Sequence, residues 1–340
     1  MTPISSLGEF GLINKLTKGF PVFHQSTIKG VGDDAAQLDS KERQILISTD
    51  LLVEDIHFDM VYTPLKHLGY KAVVVNLSDI YAMNALPEQI TVSIALSSKY
   101  TVEAIAEIYE GILHACNTYK VDLVGGDTTS SIKGLVISVT AIGYAQKEKI
   151  VYRSGAKEGD LICVSGNLGA AYLGLQMLER EKKIFLEHPD VQPDIENEEY
   201  LIRRHLKPEA RKDIIQFFDE VNLVPTSMID VSDGLSSDLL HICTQSNVGC
   251  EINEAFVPMS EEMYQRAIKF NLDPITCVLS GGEDYELLFT ISNEDETKVT
   301  EHPDIQIIGQ INNIEAGRIL LTKGGNRHAL TAQGWNHFKS

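Results

Sequence analysis

The residues of this chain that could do chemistry are carboxylates set beside glycines and hydroxyls, at places where the hydrophobic pattern breaks off. KGVGDDAA, residues 29–36, puts Asp33 and Asp34 after Gly30 and Gly32, where the backbone can turn tightly, and before two alanines that would not crowd a ligand. The apolar run from Ile45 to Ile47 is expected to be a strand ending in Ser48, Thr49 and Asp50. VDLVGGDTT repeats that chemistry, an apolar strand expected to end in Gly125, Gly126, Asp127, Thr128 and Thr129. TSMIDVSDGL places Asp230, Ser232 and Asp233 at a strand end, ahead of a helix starting near Gly234. Carboxylate and hydroxyl oxygens are the ligands of hard cations such as Mg²⁺, which usually shares them with substrate phosphates. Each motif alone has a competing reading: a solvated turn for Gly-Asp-Asp, and a helix N-cap for Ser232 or Asp233.

The elements that must position these groups follow from periodicity. Pro64 is suited to open a helix running to about Ala85, on which Leu68, Ala72, Val75, Asp79 and Met83 share one face. A carboxylate on an apolar stripe is costly unless paired or metal-bound, so Asp79 is expected to be a ligand. Asn76 and Ser78 beside it read as helix polar groups. Thr101 to Tyr119 reads as an amphipathic helix capped by Thr101, and Leu135 to Tyr144 as a long alternating strand. Asp33, Asp34, Asp50, Asp79, Asp127, Asp230 and Asp233 make seven carboxylates. Two unit charges about 4 Å apart cost on the order of 1 kcal/mol in water and about 4 at an effective dielectric of 20. If the seven converge on a polyphosphate they need several divalent cations, and the expectation is Mg²⁺-dependent phosphoryl chemistry.

Three further residues stand apart from the acids. His57, between Ile56 and Phe58, is either a core histidine or a functional one. Arg153, in the glycine-containing turn YRSGAKEGD, can fork onto a phosphate or settle into a surface ion pair. Gly281 and Gly282 let Glu283 project into a cleft ahead of an alternating strand. No GxxxxGK[ST] motif is present, and no GxGxxG follows a strand. Trp335 defaults to packing.

Composition narrows the class. The chain has 340 residues and a formal charge of −19, from 48 acids against 29 bases. That balance, without a basic block, argues against nucleic acid or an anionic membrane as partner. The five scattered cysteines read as reduced core thiols, no signal peptide is expected, and no apolar run reaches the length of about 18 residues that a membrane span needs; the expectation is a cytoplasmic protein. QKEK, residues 146–149, marks a shift in composition and is taken as the boundary between domains 1–146 and 147–340. Residues 185–200 are acidic and aperiodic, and read as an exposed connection without chemistry.

GVGDDAA, ISTDLLVEDIHF, VNLSDIYAMNALP, DLVGGDTT, YRSGAKEGD, MIDVSDGLSSDL and SGGEDYELLFT, in that order, resemble the thiamine-monophosphate kinases. These are a branch of the superfamily that includes aminoimidazole ribonucleotide synthetase, selenophosphate synthetase and the hydrogenase maturation protein HypE. The resemblance runs from about Gly8 to Phe338. It implies a mixed α/β, two-domain fold of the aminoimidazole ribonucleotide synthetase type. The N-terminal domain would bind ATP and Mg²⁺ and pair through its sheet across a homodimer, and the C-terminal domain would complete the cleft. The implied reaction is direct transfer of the γ-phosphate of ATP to thiamine monophosphate, without a phosphoenzyme.

On this resemblance Asp34, Ser48, Thr49, Asp50, Asp79, Asp127, Asp230 and Asp233 are the Mg²⁺ ligands. Tyr119, Gly126, Asp127, Arg153 and Ser232 contact the nucleotide, while His57, Glu283 and Trp335 hold the thiamine phosphate. Asp34, Asp230 and Arg153 form the catalytic set; the acceptor phosphate is already anionic, so no general base is assigned. One departure is visible: Asn84 stands where the family reads glycine in AMGA. The alternatives are an amidine cyclase or selenophosphate synthetase type of the same superfamily, a metal-dependent phosphatase, or a nucleotide-binding protein without turnover. Against selenophosphate synthetase, the N-terminal segment carries no glycine-rich reactive Cys or Lys stretch, and against HypE there is no terminal cysteine.

Overall fold

The computed structural model describes residues 8–31, 36–196 and 198–331. Asp33, Asp34 and Trp335 lie outside the described residues. The chain divides into two compact units: the described residues up to Tyr81 together with Ala85–Lys149, and Ala82–Asn84 together with the residues from Ile150 onward.

The first unit contains α1 (Gly8–Thr17), β1 (Thr27–Lys29), β2 (Gln37–Leu38), β3 (Gln44–Val53), α2 (Leu65–Ala82), β4 (Leu86–Leu96), α3 (Val102–Tyr119), β5 (Asp122–Ser130) and β6 (Leu135–Ala145). β1 and β2 pair as a short hairpin, and the others form a four-stranded sheet in the order β3-β6-β4-β5. β6 is antiparallel to both of its neighbours, and β4 and β5 are parallel. α2 and α3 touch backbone to backbone: a Cβ on Gly69 would lie 1.9 Å from the Ile108 carbonyl oxygen, and one on Gly111 2.0 Å from that of Lys66. As expected, Thr101 caps α3, its hydroxyl accepting from the Ala104 N–H at 3.3 Å.

α2 covers one face of this sheet and is buried along nearly its whole length. The opposite face is open. There the edge strand β3 shows Ile45, Ile47 and Leu51, which are 55%, 68% and 52% exposed.

The second unit contains β7 (Leu161–Ser165), α4 (Ala170–Glu187), α5 (Glu199–Leu206), α6 (Lys212–Glu220), β8 (Ser227–Asp230), α7 (Leu235–Ser246), β9 (Gly249–Asn253), α8 (Glu261–Lys269), α9 (Pro274–Ser280), β10 (Leu287–Ile291), α10 (Glu296–Val299), β11 (Ile305–Asn312), β12 (Arg318–Leu321) and β13 (Arg327–Ala329). Its strands form a seven-stranded sheet in the order β13-β12-β9-β11-β7-β10-β8, antiparallel except for the β9/β12 pair. Leu173 and Met177 of α4, Leu239 and Ile242 of α7 and Val278 of α9 pack with Leu288 and Ile308 of the sheet into one core. Among the described residues no helix is long and apolar enough to cross a membrane.

Five expectations change. β3 does not end at Ser48; it runs on to Val53, because β6 pairs with it residue by residue from Gln44 to Val53. β5 likewise continues through Gly125–Thr129 to Ser130, held by the parallel partner β4. β10 is buried on both faces rather than alternating, since it lies between β7 and β8 inside the sheet. α4 extends to Glu187, so the exposed connection starts after that residue. α2 stops at Ala82, and Asn84 takes the left-handed conformation, φ 55°, that asparagine tolerates.

Candidate active site

Side chains alternate between the faces of a strand, so an unbroken β3 sorts its own candidates. Ser48 and Asp50 point to the face that α2 covers. There the Ser48 hydroxyl donates to the Asp79 carboxylate, and the Asp50 N–H donates to Asn76 Oδ1 at 2.8 Å. Asn76 is fixed in turn by its own amide, which donates to the Ala72 carbonyl at 3.0 Å. Asn76, read as a helix polar group, thus proves different: it ties the helix to the strand at the acid pair. Burial, then the neighbouring Asp79, pushes the Asp50 carboxyl up to about 6. Two acids that repel one another in this way fit a cation.

Thr49 and Asp127 lie on the open face instead. Thr49 pairs across β6 with Thr140, whose hydroxyl donates to it at 3.1 Å, and Asp127 pairs with Ser93 on β4. Gly126 is demanded by a close approach, because a Cβ there would lie 1.9 Å from the Val92 carbonyl oxygen. The β1/β2 hairpin, which brackets Asp33 and Asp34 in sequence, leans on the same strand: a Cβ on Gly30 would lie 3.8 Å from Val124 Cα. Asp122, at the start of β5, anchors the preceding segment by accepting from the Phe23 and His24 N–H groups and the Thr27 hydroxyl at 2.5, 3.2 and 2.6 Å.

His57 sits in the turn after β3. Its Nδ1 accepts from the Val53 N–H at 3.0 Å, which puts the proton of a neutral ring on Nε2. Tyr119 is buried, its ring centroid 6.4 Å from those of Tyr70 and Tyr81.

In the second unit, Asp230 is the last residue of β8 and is 2% exposed. Beyond it the chain keeps pairing with the segment before β10. Val231 N–H donates to Glu286 O at 2.7 Å, Tyr285 N–H to Val231 O at 2.9 Å and Glu283 N–H to Ser232 O at 2.8 Å. The fit requires glycine: a Cβ on Gly282 would lie 2.2 Å from the Ser232 carbonyl oxygen, and Gly234 opens α7 with φ 116°. Glu283 and Tyr285 are both left-handed, φ 65° and 53°, a conformation that costs about 1–3 kcal/mol per non-glycine residue and gathers at functional loops. Gly234, not Ser232 or Asp233, is the N-cap of α7, so that competing reading falls. Arg153 is exposed; its neighbour Tyr152 accepts from the Met228 N–H of β8 at 2.9 Å.

Asp238, in the first turn of α7, reaches back to accept from the Asp233 and Gly234 N–H groups, both at 3.2 Å. Burial, followed by Asp230 and Asp233, raises its carboxyl to about 8. A carboxyl raised on folding is bound more tightly by protons in the native state, so stability without metal is greatest below the unfolded value and falls as pH rises toward 8. Asp238→Asn should therefore stabilise the metal-free protein at pH 8 by a few kcal/mol at most, each pKa unit being worth about 1.4 kcal/mol, and give no gain at pH 4. Urea unfolding at the two pH values checks this; an equal gain at both would show that the charge is not the cause.

Sequence reasoning missed the groups that hold this loop. Asp284 is fully buried and accepts from the Gly169 and Ala171 N–H groups at 2.6 and 3.3 Å, at the start of α4. Glu286 Oε1 lies 3.0 Å from Arg204 Nη1, and its Oε2 accepts from Arg211 Nη1 and the Ser165 hydroxyl, each at 2.6 Å. The only signal was the charge density of RRHLKPEAR, residues 203–211, in a short amphipathic stretch. Among the described residues no three His, Cys, Asp or Glu side chains already close into one cation cage.

Residues 32–145 match the model of the AIR synthase related protein, N-terminal domain. The thiamine-monophosphate kinase of Bacillus subtilis (strain 168) is 35% identical over 339 residues, covering 98% of this chain and 100% of that one. The chain belongs to the thiamine-monophosphate kinase family. The family member from Aquifex aeolicus (strain VF5) is likewise 35% identical, over 98% of this chain and 99% of its own. Among solved structures, AaThiL complexed with AMPPCP and TMP superposes with a TM-score of 0.75 at 32% identity, with 99% of each chain covered. A hydrogenase maturation protein HypE in complex with ATP, at 22% identity and a TM-score of 0.72, shares the fold. The mixed α/β architecture expected from the motifs is thus the one thiamine-monophosphate kinases adopt.

Proposed function

We infer that this chain transfers the γ-phosphate of ATP to thiamine monophosphate, forming thiamine diphosphate and ADP. The observation that carries this reading is the full-length likeness to AaThiL, a protein seen with a non-hydrolysable ATP analogue and thiamine monophosphate bound together. To the first unit we assign ATP and Mg²⁺ binding and subunit pairing, and to the second the groups Arg153, Asp230, Ser232, Asp233 and Glu283.

Ser48, Asp50 and Asp79 on one face of β3, Thr49 and Asp127 on the other, Asp230 and Asp233 in the second unit and Asp34 would hold Mg²⁺. The raised carboxyls of Asp50 and Asp238 support cation binding beside them. Mg²⁺ held by these residues would neutralise the polyphosphate and the charge that develops as the γ-phosphoryl group leaves ADP. The chain's own groups orient the rest. Asn76 holds the backbone of Asp50 against Asp79, and Gly126 and Ser232 let backbone and hydroxyl approach the nucleotide. Tyr119 is proposed as a further nucleotide contact and Arg153 as a fork onto its phosphates.

On the acceptor side, His57 can donate from Nε2 to a phosphate oxygen. Glu283 can face the cationic rings of thiamine, and Trp335 is suited to stack on one of them. The anionic phosphate oxygen of the acceptor attacks phosphorus as the bond to the bridging oxygen of ADP breaks, so no proton need be removed. An assay of ADP release with Mg²⁺ and ATP tests the reading: turnover should require thiamine monophosphate. Equal ADP release without it would point to a phosphatase.

Pairing through the open face of the four-stranded sheet is supported by exposed Ile45, Ile47 and Leu51 on the edge strand β3, an apolar strip that a second copy would cover. Ile47→Lys should convert a dimer to a monomer in light scattering; an unchanged mass would place the pairing elsewhere. A cytoplasmic location is supported by five buried cysteines, all free thiols.

A further inference from the structure

His205 has no role in the reading above, yet it faces Glu283. It belongs to α5, is 4% exposed, and its Nδ1 stands 2.9 Å from Glu283 Oε2, while the Glu283 side chain remains about one-third open at 31% exposure. α5 is brought this close by α4, where a Cβ on Gly174 would lie 2.1 Å from the Leu201 carbonyl oxygen and 3.2 Å from His205 Cβ. The residues on either side of this contact are locked. Arg204, the neighbour of His205, donates to the carbonyls of Asn167 and Asp284, both at 3.1 Å, and lies 3.0 Å from Glu286. Glu283 is held from the other side by its N–H on Ser232 O, in a left-handed conformation that a free glutamate would leave.

We propose that His205 is the positioning residue for Glu283: it fixes the direction of that carboxylate, so that its second oxygen is presented to the cationic ring system of the acceptor. The proposal rests on the acceptor role given to Glu283 above. A glutamate side chain has three rotatable bonds and, at a site about one-third open, samples several directions; an imidazole nitrogen packed 2.9 Å from one oxygen restricts them in advance of binding. The Arg204 contacts fix the backbone that carries both groups, and the RHLKPEAR segment becomes a platform for the acceptor side of the reaction. No covalent step is added, and His205 does not touch the reacting atoms.

The test uses the full-length protein and initial rates with each substrate varied in turn. His205→Ala should raise KM for thiamine monophosphate about tenfold, the scale of removing one polar neighbour of a partly buried charge, with KM for ATP and kcat within about twofold of the parent. His205→Asn, whose amide can donate from nearly the same place as Nδ1, should recover much of the loss. In a Glu283→Ala background His205→Ala should add nothing, because the two act as one unit. A general loss that raises both KM values and lowers kcat, or additive effects of the two substitutions, would overturn the positioning role. If Glu283→Ala itself leaves KM for thiamine monophosphate unchanged, the acceptor assignment fails and the proposal with it. If Glu283→Ala raises that KM and His205→Ala does not, only the role of His205 fails.

Discussion

Asp79→Asn should lower the rate of thiamine diphosphate formation about a thousandfold, the upper range for removing one preorganised electrostatic group, without unfolding the protein. Asparagine keeps an oxygen to accept the Ser48 hydroxyl, so the contact between α2 and β3 survives. What disappears is a negative charge beside Asp50, whose carboxyl is held up at about 6 first by burial and then by Asp79. A carboxyl raised in this way makes the native state less stable as pH rises through 6, because the unfolded chain releases the proton more readily. The variant should therefore melt higher than the parent near pH 8 in the absence of Mg²⁺ and match it near pH 4. Added Mg²⁺ should stabilise the parent and do little for the variant, in line with the linkage between binding and stability. A variant that keeps its rate, or that gains as much from Mg²⁺ as the parent, would remove Asp79 from the metal set.

Glu286→Ala should cost about 3–5 kcal/mol of stability, the expected price of leaving a buried ion pair half made. Its two oxygens serve Arg204, Arg211 and Ser165, and the Ser165 hydroxyl in turn accepts from the Leu287 N–H at 2.8 Å. Alanine would strand two guanidinium groups with side chains only 13% and 10% exposed, although Arg211 would keep Asp213 and Asp304 at 2.7 and 3.2 Å. Glutamine preserves the shape and one acceptor oxygen but replaces the other with a donor and removes the charge, so Glu286→Gln should fall between the parent and the alanine variant. The urea midpoint, read with an unchanged slope, measures the difference. A loss below about 1 kcal/mol for Glu286→Ala would mean that the network behaves like a solvated surface pair.

Much of this was legible in the residues, and the failures share a physical origin. The turn Asp230–Gly234 could be read because a short apolar run stops at a carboxylate and glycine marks the start of the helix, both local signals. Asp79 could be placed because a helix repeats every 3.6 residues, and a charge on its apolar face stands out. The lengths of β3 and β5 could not. How far a strand continues is set by its partners, and the β6 and β4 residues that extend them lie tens of positions away. That error carries over to the site, since a strand ending in Ser48, Thr49 and Asp50 hides the fact that alternation sends Thr49 to the opposite face. β10 was misread for the same reason, as its burial on both faces depends on β7 and β8. Beyond its charge density, RRHLKPEAR carries no local mark of its role, because its acidic partners, Glu283, Asp284 and Glu286, come from a loop some eighty residues further on. The φ angles of Glu283 and Tyr285 have no local signal, since neither residue favours the left-handed region.

The most direct measurement follows the label of ATP carrying a marked γ-phosphate, with Mg²⁺ and thiamine monophosphate, through a single turnover of the purified protein. Direct transfer requires that the label appear in the terminal phosphate of thiamine diphosphate, one for each ADP formed, with none attached to the protein at any time. Label recovered as inorganic phosphate, or passing through a protein-bound intermediate, would contradict it.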